Sequence, residues 1–192
     1  MNIEKNEVLN LIQRADNFED NRTKKLISDF QKLRKKRQEF YLTSDELEQI
    51  LKWKLDSQFG RQKKIRENNT PDNVKIITKA AFAVTHTNKD FEIVLKLKIL
   101  STLTGVEIPV ASAILTICYP EQFAVIDFRN WRQVYQTEKQ KTYYTAKEYL
   151  GYLHKVREYA KKYGITPQEM DIALWQKDRE ENGKSTISKD LT

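Results

Sequence analysis

The chain has 192 residues, 39% of them hydrophobic and 32% charged, which is enough apolar material for one domain or two closely packed lobes. Its formal net charge of +7 favours a polyanionic partner, although a solvated basic surface has the same composition. The single cysteine, Cys118, excludes an internal disulfide and any cysteine-based zinc or iron–sulfur site. No stretch reaches transmembrane length, and the N-terminus MNIEKNEVLN lacks the apolar core of a signal peptide. A cytoplasmic location without a membrane partner is expected. His86 and His154 are too few and too far apart for a metal motif, and no Walker or Rossmann glycine pattern occurs, so neither metal nor cofactor is expected.

Strand-like alternation is nearly absent, and the expected fold class is all-α. Residues 3–17 place Ile3, Val8, Leu11, Ile12 and Ala15 at helical spacing, and residues 22–40 do so with Leu26, Ile27, Phe30 and Leu33. The other face of that second helix is a run of lysines and arginines from Lys24 to Arg37, either a solvated face or a phosphate-contacting one. Thr43-Ser44-Asp45-Glu46 reads as a capping box for a helix carrying Leu47, Ile50, Leu51 and Trp53. A basic segment, 61–66, follows. Thr70-Pro71 starts the next helix, with proline at its first position. Residues 90–103 form another, after a loop at 86–89. Thr145 with Glu148 opens a tyrosine-rich helix that Gly164 stops, and Thr166-Pro167-Gln168-Glu169 opens the last. The expected organisation is one helical domain over 1–180 and a polar tail over 181–192.

The most informative stretch runs from Leu103 to Trp131. The preceding helix ends in a turn at Thr104-Gly105-Val106. A short apolar helix follows from about Pro109 to Cys118, then a Tyr119-Pro120 break, a loop, and Asp127 at the mouth of a helix that runs to about Gln136. Eighteen residues separate Pro109 from Asp127. As a plain structural element, Asp127 is a helix N-cap and Gly105 a helix C-cap.

This order of turn, helix, proline break and aspartate resembles the helix-hairpin-helix DNA glycosylases, the family of endonuclease III, MutY and the oxoguanine glycosylases. The resemblance covers about residues 91–135. It implies a two-lobed all-α fold in which the Gly105-Val106 turn holds a DNA phosphate and Asp127 is the catalytic carboxylate facing the sugar of an extruded base. Glu107 stands where the family pattern has a second glycine. Pro109 stands near the position of the lysine with which bifunctional members form an imine. Monofunctional base release, without lyase activity, is therefore expected. The partner implied is double-stranded DNA, bound by a monomer, with Lys54, Arg61 and Arg129 as further DNA contacts. Trp53, Trp131, Tyr149 and Trp175 are the aromatic candidates for stacking a flipped base, although an aromatic at helical spacing is more often core than pocket. Asp171, four residues before Trp175, falls on the same helix face and is either a site residue or an ion-paired acid. Alkylated, oxidised, deaminated and glucosylated bases all remain open as substrates, in repair or in defence against modified phage DNA. A non-catalytic hairpin DNA-binding protein and a helical protein–protein adaptor are the alternatives.

Overall fold

The computed structural model describes residues 3–138 and 143–183. Over these the chain is all-helical: α1 (Lys5–Phe18), α2 (Arg22–Lys36), α3 (Ser44–Leu55), α4 (Lys63–Arg66), α5 (Pro71–Ala83), α6 (Lys89–Leu100), α7 (Ile108–Cys118), α8 (Phe128–Tyr135), α9 (Ala146–Tyr163) and α10 (Pro167–Asn182). A 3-10 segment, Asp56–Gln62, joins α3 to α4. Among the described residues no helix is long and apolar enough to cross a membrane.

The helix starts follow local chemistry. Thr43, Thr145 and Thr166 each accept from the backbone N–H three residues on, while Glu46, Glu148 and Glu169 reach back to the capping residue's own N–H. Gly164 ends α9 at φ 70°, a conformation that a Cβ would strain. Several boundaries differ from those expected; α6, for one, ends at Leu100 rather than at 103. α2 stops at Lys36, short of residue 40, because Arg37 turns extended and its guanidinium bonds Glu46 at 2.7 Å and the Tyr41 carbonyl. α10 runs to Asn182, into the expected tail, and residues 184–192 lie outside the described part.

α7 is the axis of the core. All nine residues from Val110 to Cys118 are buried, so it is apolar all round and must be enclosed rather than laid on a surface. α2, α3 and α6 pack on it. A second group forms where α10 packs against α1, α8 and α9, and α6 meets α9 between the two groups. The N-terminal helix therefore closes on the C-terminal one, with Arg14 of α1 bonded to Glu180 of α10 at 2.8 Å.

The buried carboxylate of Asp178 is a main fastening of α8 to α10. Asp178 has no exposed side-chain surface and accepts from Arg132 at 2.7 Å, from Arg129 at 3.1 Å and from Gln133 at 3.3 Å. Burial alone would raise its pKa. The Arg132 bonds, with those from Gln133 and Arg129, outweigh this and hold it below the ordinary aspartate value. Replacing Asp178 by Ala leaves the largely buried Arg129 without its counter-ion and Arg132 with only the exposed Glu138, so urea unfolding should show a loss of about 3 kcal/mol. A loss below about 0.5 kcal/mol, the level of an ordinary surface change, would mean the cluster does not hold α8 in place.

Candidate functional site

Asp127 is delivered by a loop that is itself buried. Phe123, Ala124, Val125 and Ile126 are each at most 4% exposed. Buried backbone N–H and C=O groups need partners, and an irregular loop cannot supply them from a ladder. Here side chains supply them. Tyr149 Oη donates to the Ala124 carbonyl at 3.0 Å and Tyr152 Oη to the Val125 carbonyl at 2.7 Å. The Val125 N–H donates to Asp171 at 2.6 Å, and the Ile126 N–H to Ser112 Oγ at 3.1 Å. Asn130 Nδ2 bridges the Val125 carbonyl and Asp171, at 3.2 and 2.9 Å. Side chains of α7, α8, α9 and α10 thus fix the loop from all sides.

At the end of this loop Asp127 caps α8. Its backbone is extended, and Oδ1 accepts from the Asn130 N–H at 2.9 Å. The positive end of the α8 dipole faces that oxygen. Oδ2 is turned toward Lys54 on α3, whose Nζ lies 3.6 Å away. The Lys54 side chain is only 13% exposed and that of Asp127 22%.

Both groups line a cavity of about 480 Å³ formed by α1, α2, α3, α10 and the loop. Trp53 and Trp175 line it too, with Phe18, Thr23, Asp16 and Asp171. Trp53 is fixed by its Nε1, which donates to Thr23 Oγ1 at 2.7 Å. Trp175 is tilted against Phe18 with ring centres 6.1 Å apart, and Arg179 lies 3.2 Å over the Phe18 ring. Asp16 is ion-paired with Lys24 at 2.6 Å. The cavity therefore offers aromatic faces, the Asp127 carboxyl with Lys54 beside it, and several acceptor oxygens.

Of the residues singled out in the sequence, the fold brings Asp127, Lys54, Trp53 and Trp175 together around this cavity, and Asp171 with them. The others lie elsewhere. Tyr149 is fully buried, and its ring and hydroxyl serve the loop rather than a ligand. Trp131 packs against Tyr135 and Tyr144, at 4.2 and 5.7 Å between ring centres, and does not line the cavity. Arg129 is committed to Asp178 and the Gly183 carbonyl. Arg61 is exposed on the 3-10 segment. Gly105 sits at φ 82° in the turn before α7, and the Val106 side chain is buried beneath it. Asn69 clamps this turn, donating to the Thr104 carbonyl at 2.8 Å and accepting the Thr104 N–H at 2.9 Å. The Val106 N–H bonds back to Leu103. Glu107 caps α7 through its backbone and makes no side-chain cap. Phe18, Asp16 and Thr23 were not legible as site residues: each occupies an ordinary helical position with no motif around it. Among the described residues no cluster of histidine, cysteine and acidic side chains is placed to hold a metal ion.

Asp171 is the most perturbed acid of the site. Complete burial pushes its carboxyl up to about 8, against the opposing pull of the Val125 N–H, Lys54 and the Asn130 amide; the Asp127 charge adds to the rise. A carboxyl raised in the folded state stabilises the fold fully below the unfolded value near 4, and that contribution is lost as pH rises through about 8. The acids held low, such as Glu46, Glu92 and Asp178, act only below about pH 4.5 and leave the range from 5 to 8 clear. The melting temperature should fall from pH 5 to pH 8 more steeply for the wild type than for Asp171→Asn, which cannot ionise. Parallel profiles for the two proteins would place Asp171 as an ordinary ionised carboxylate.

Comparison with models of known families, with curated proteins and with solved structures finds no match to this chain.

Proposed function

We propose that this protein is a DNA N-glycosylase that releases a modified or damaged base and leaves an abasic site. The observation that carries the reading is the placement of Asp127: a loop carboxylate, fixed on a helix N-terminus, at an aromatic-walled cavity of about 480 Å³. Such a volume suits a single heterocycle extruded from a duplex, with Trp53 and Trp175 as its stacking surfaces.

In this reading, departure of the base leaves positive charge spread over C1′ and the ring oxygen of the sugar. Asp127 complements that charge as it develops, and its Oδ2 accepts a proton from the attacking water. The Asn130 N–H holds Oδ1 so that the carboxylate needs no reorientation at the moment of reaction. Extrusion costs a few kcal/mol and favours bases that pair or stack weakly. The duplex would be held mainly by exposed cations such as Arg61, Lys35, Lys36, Lys63 and Lys64, and less by the Gly105 turn, where the Thr104 and Val106 N–H groups are already bonded to Asn69 and Leu103. Arg129 is a weaker choice for this role, because the buried Asp178 already holds it.

The Asp127–Asn130 bond is also what a simple helix cap makes, so the test must separate capping from catalysis. Asparagine keeps the capping oxygen and removes the charge. Asp127→Asn should melt within about 1 kcal/mol of the wild type and still bind duplex, while abasic-site formation falls by about 100-fold or more. Full base release by the folded variant would make Asp127 a cap only and leave a non-catalytic DNA-binding protein. Duplex affinity itself should fall with salt at a log–log slope of about −4 to −5 if roughly 4–6 phosphates are neutralised. A flat response would remove DNA as the partner.

A further inference from the structure

The acids of the cavity are not alike. Asp127 Oδ1 accepts the Asn130 N–H and its Oδ2 faces Lys54, while Asp171 accepts from the Val125 N–H and the Asn130 amide. Glu19 accepts the Thr23 hydroxyl. Asp16, on α1, is less well supplied. Its side chain is 5% exposed, and its Oδ2 is buried and accepts no hydrogen bond among the described residues. Lys24 Nζ lies 2.6 Å from that oxygen but outside hydrogen-bond geometry, on a side chain 60% exposed. A buried carboxyl has room for several donors, and leaving it short of them is costly. The cavity that Asp16 lines is where further donors can reach it.

The protein itself has few donors to send there. The Trp53 indole N–H is given to Thr23, whose own hydroxyl is given to Glu19. The Val125 N–H is given to Asp171. Of the cations lining the cavity, Lys54 faces Asp127, and Arg22 reaches the Lys52 carbonyl at 3.4 Å. A ligand that complements this cavity brings flat faces for Trp53 and Trp175 and hydrogen-bond donors on its edge.

We infer that Asp16 selects the extruded base by its exocyclic amine. The inference rests on the glycosylase reading and narrows its substrate. A modified base that keeps an amino group, derived from cytosine, adenine or guanine, is accepted, and deaminated bases with only carbonyls in its place are rejected. The amine sets an N–H against the unfilled acceptor of Asp16. A carbonyl at the same position sets lone pairs against lone pairs and leaves the buried carboxyl unmatched. An imide N–H does not replace the amine, because the carbonyls beside it face the same oxygen. Asp127 then serves the sugar, the two tryptophans serve the faces of the base, and Asp16 reads its edge.

The test uses the whole wild-type protein and duplexes in which one test base stands opposite an abasic position, so that extrusion breaks no base pair. Cytosine is compared with uracil, and adenine with hypoxanthine; each pair exchanges an amine for a carbonyl. A 2′-fluoroarabino sugar under the test base disfavours positive charge at C1′ and keeps the base attached, so affinity alone is read. The amino member of each pair should bind about 10-fold or more tightly than its oxo partner. Asn at position 16 can donate as well as accept, so Asp16→Asn should bring the ratio below about 3-fold while the melting temperature persists. Equal affinities within each pair for the wild type, or a preference for the oxo member, overturn the inference without any change at residue 16. A preference that survives in folded Asp16→Asn overturns it too. Equal affinities together with release of some modified base would remove Asp16 as the selector and leave the glycosylase reading standing. An amine preference without base release from any DNA would do the reverse, and binding to none of the four duplexes would remove both.

Discussion

The fold depends on a buried loop whose backbone must be satisfied by side chains. Residues 123–126 pass through the interior without regular structure, and each unpartnered N–H or C=O there would cost about 1–3 kcal/mol. Ser112, Asn130, Tyr149, Tyr152 and Asp171 answer that requirement, one or two bonds each. Satisfying the loop also orients it. With Val125 and Ile126 tied to α10 and α7, Asp127 has one place to emerge, and it emerges at the cavity as the cap of α8. Structural need and chemical consequence come from the same bonds.

The wholly buried α7 is the other half of this arrangement. Ser112 lies on it, fully buried, and its Oγ both donates to the Pro109 carbonyl and receives the Ile126 N–H. Because α7 is enclosed by α2, α3 and α6, it cannot shift without moving the first group of helices. The second group, built on α10, reaches the loop through Asp171 and reaches α8 through Asp178. Asp127 on the loop and Lys54 on α3 therefore belong to different packing groups, and the 3.6 Å between them is set by how those groups meet.

What the sequence made legible was what local chemistry decides. Thr43, Thr145 and Thr166 declare their helix starts because cap and acceptor lie three residues apart. Asp127 was legible as a cap for the same reason. The partners that give these residues meaning are distant in the chain and leave no periodic trace. Tyr149 reads as a flat stacking surface until Ala124 is seen to need its hydroxyl. Arg129 reads as a phosphate contact until Asp178 appears 49 positions later. Lys54 reads as a DNA contact, and only the tertiary fold encloses it beside Asp127.

The net charge of +7 needs the same correction. Several arginines are tied internally: Arg34 to Glu121, Arg37 to Glu46, Arg66 to Glu48 and Arg132 to Asp178. The basic residues left to meet a polyanion are then mainly exposed lysines, which suit sequence-independent phosphate contact better than readout of base edges. In the proposed function, selection among bases falls to the cavity, which Trp53, Trp175 and Asp16 line.

The most direct measurement is mass spectrometry of free bases after incubation with a panel of alkylated, oxidised, deaminated and glucosylated-cytosine DNAs. The account predicts that at least one modified base appears free, matched by an equal number of abasic sites. Absence of any free base, from DNAs that the folded protein demonstrably binds, would contradict it.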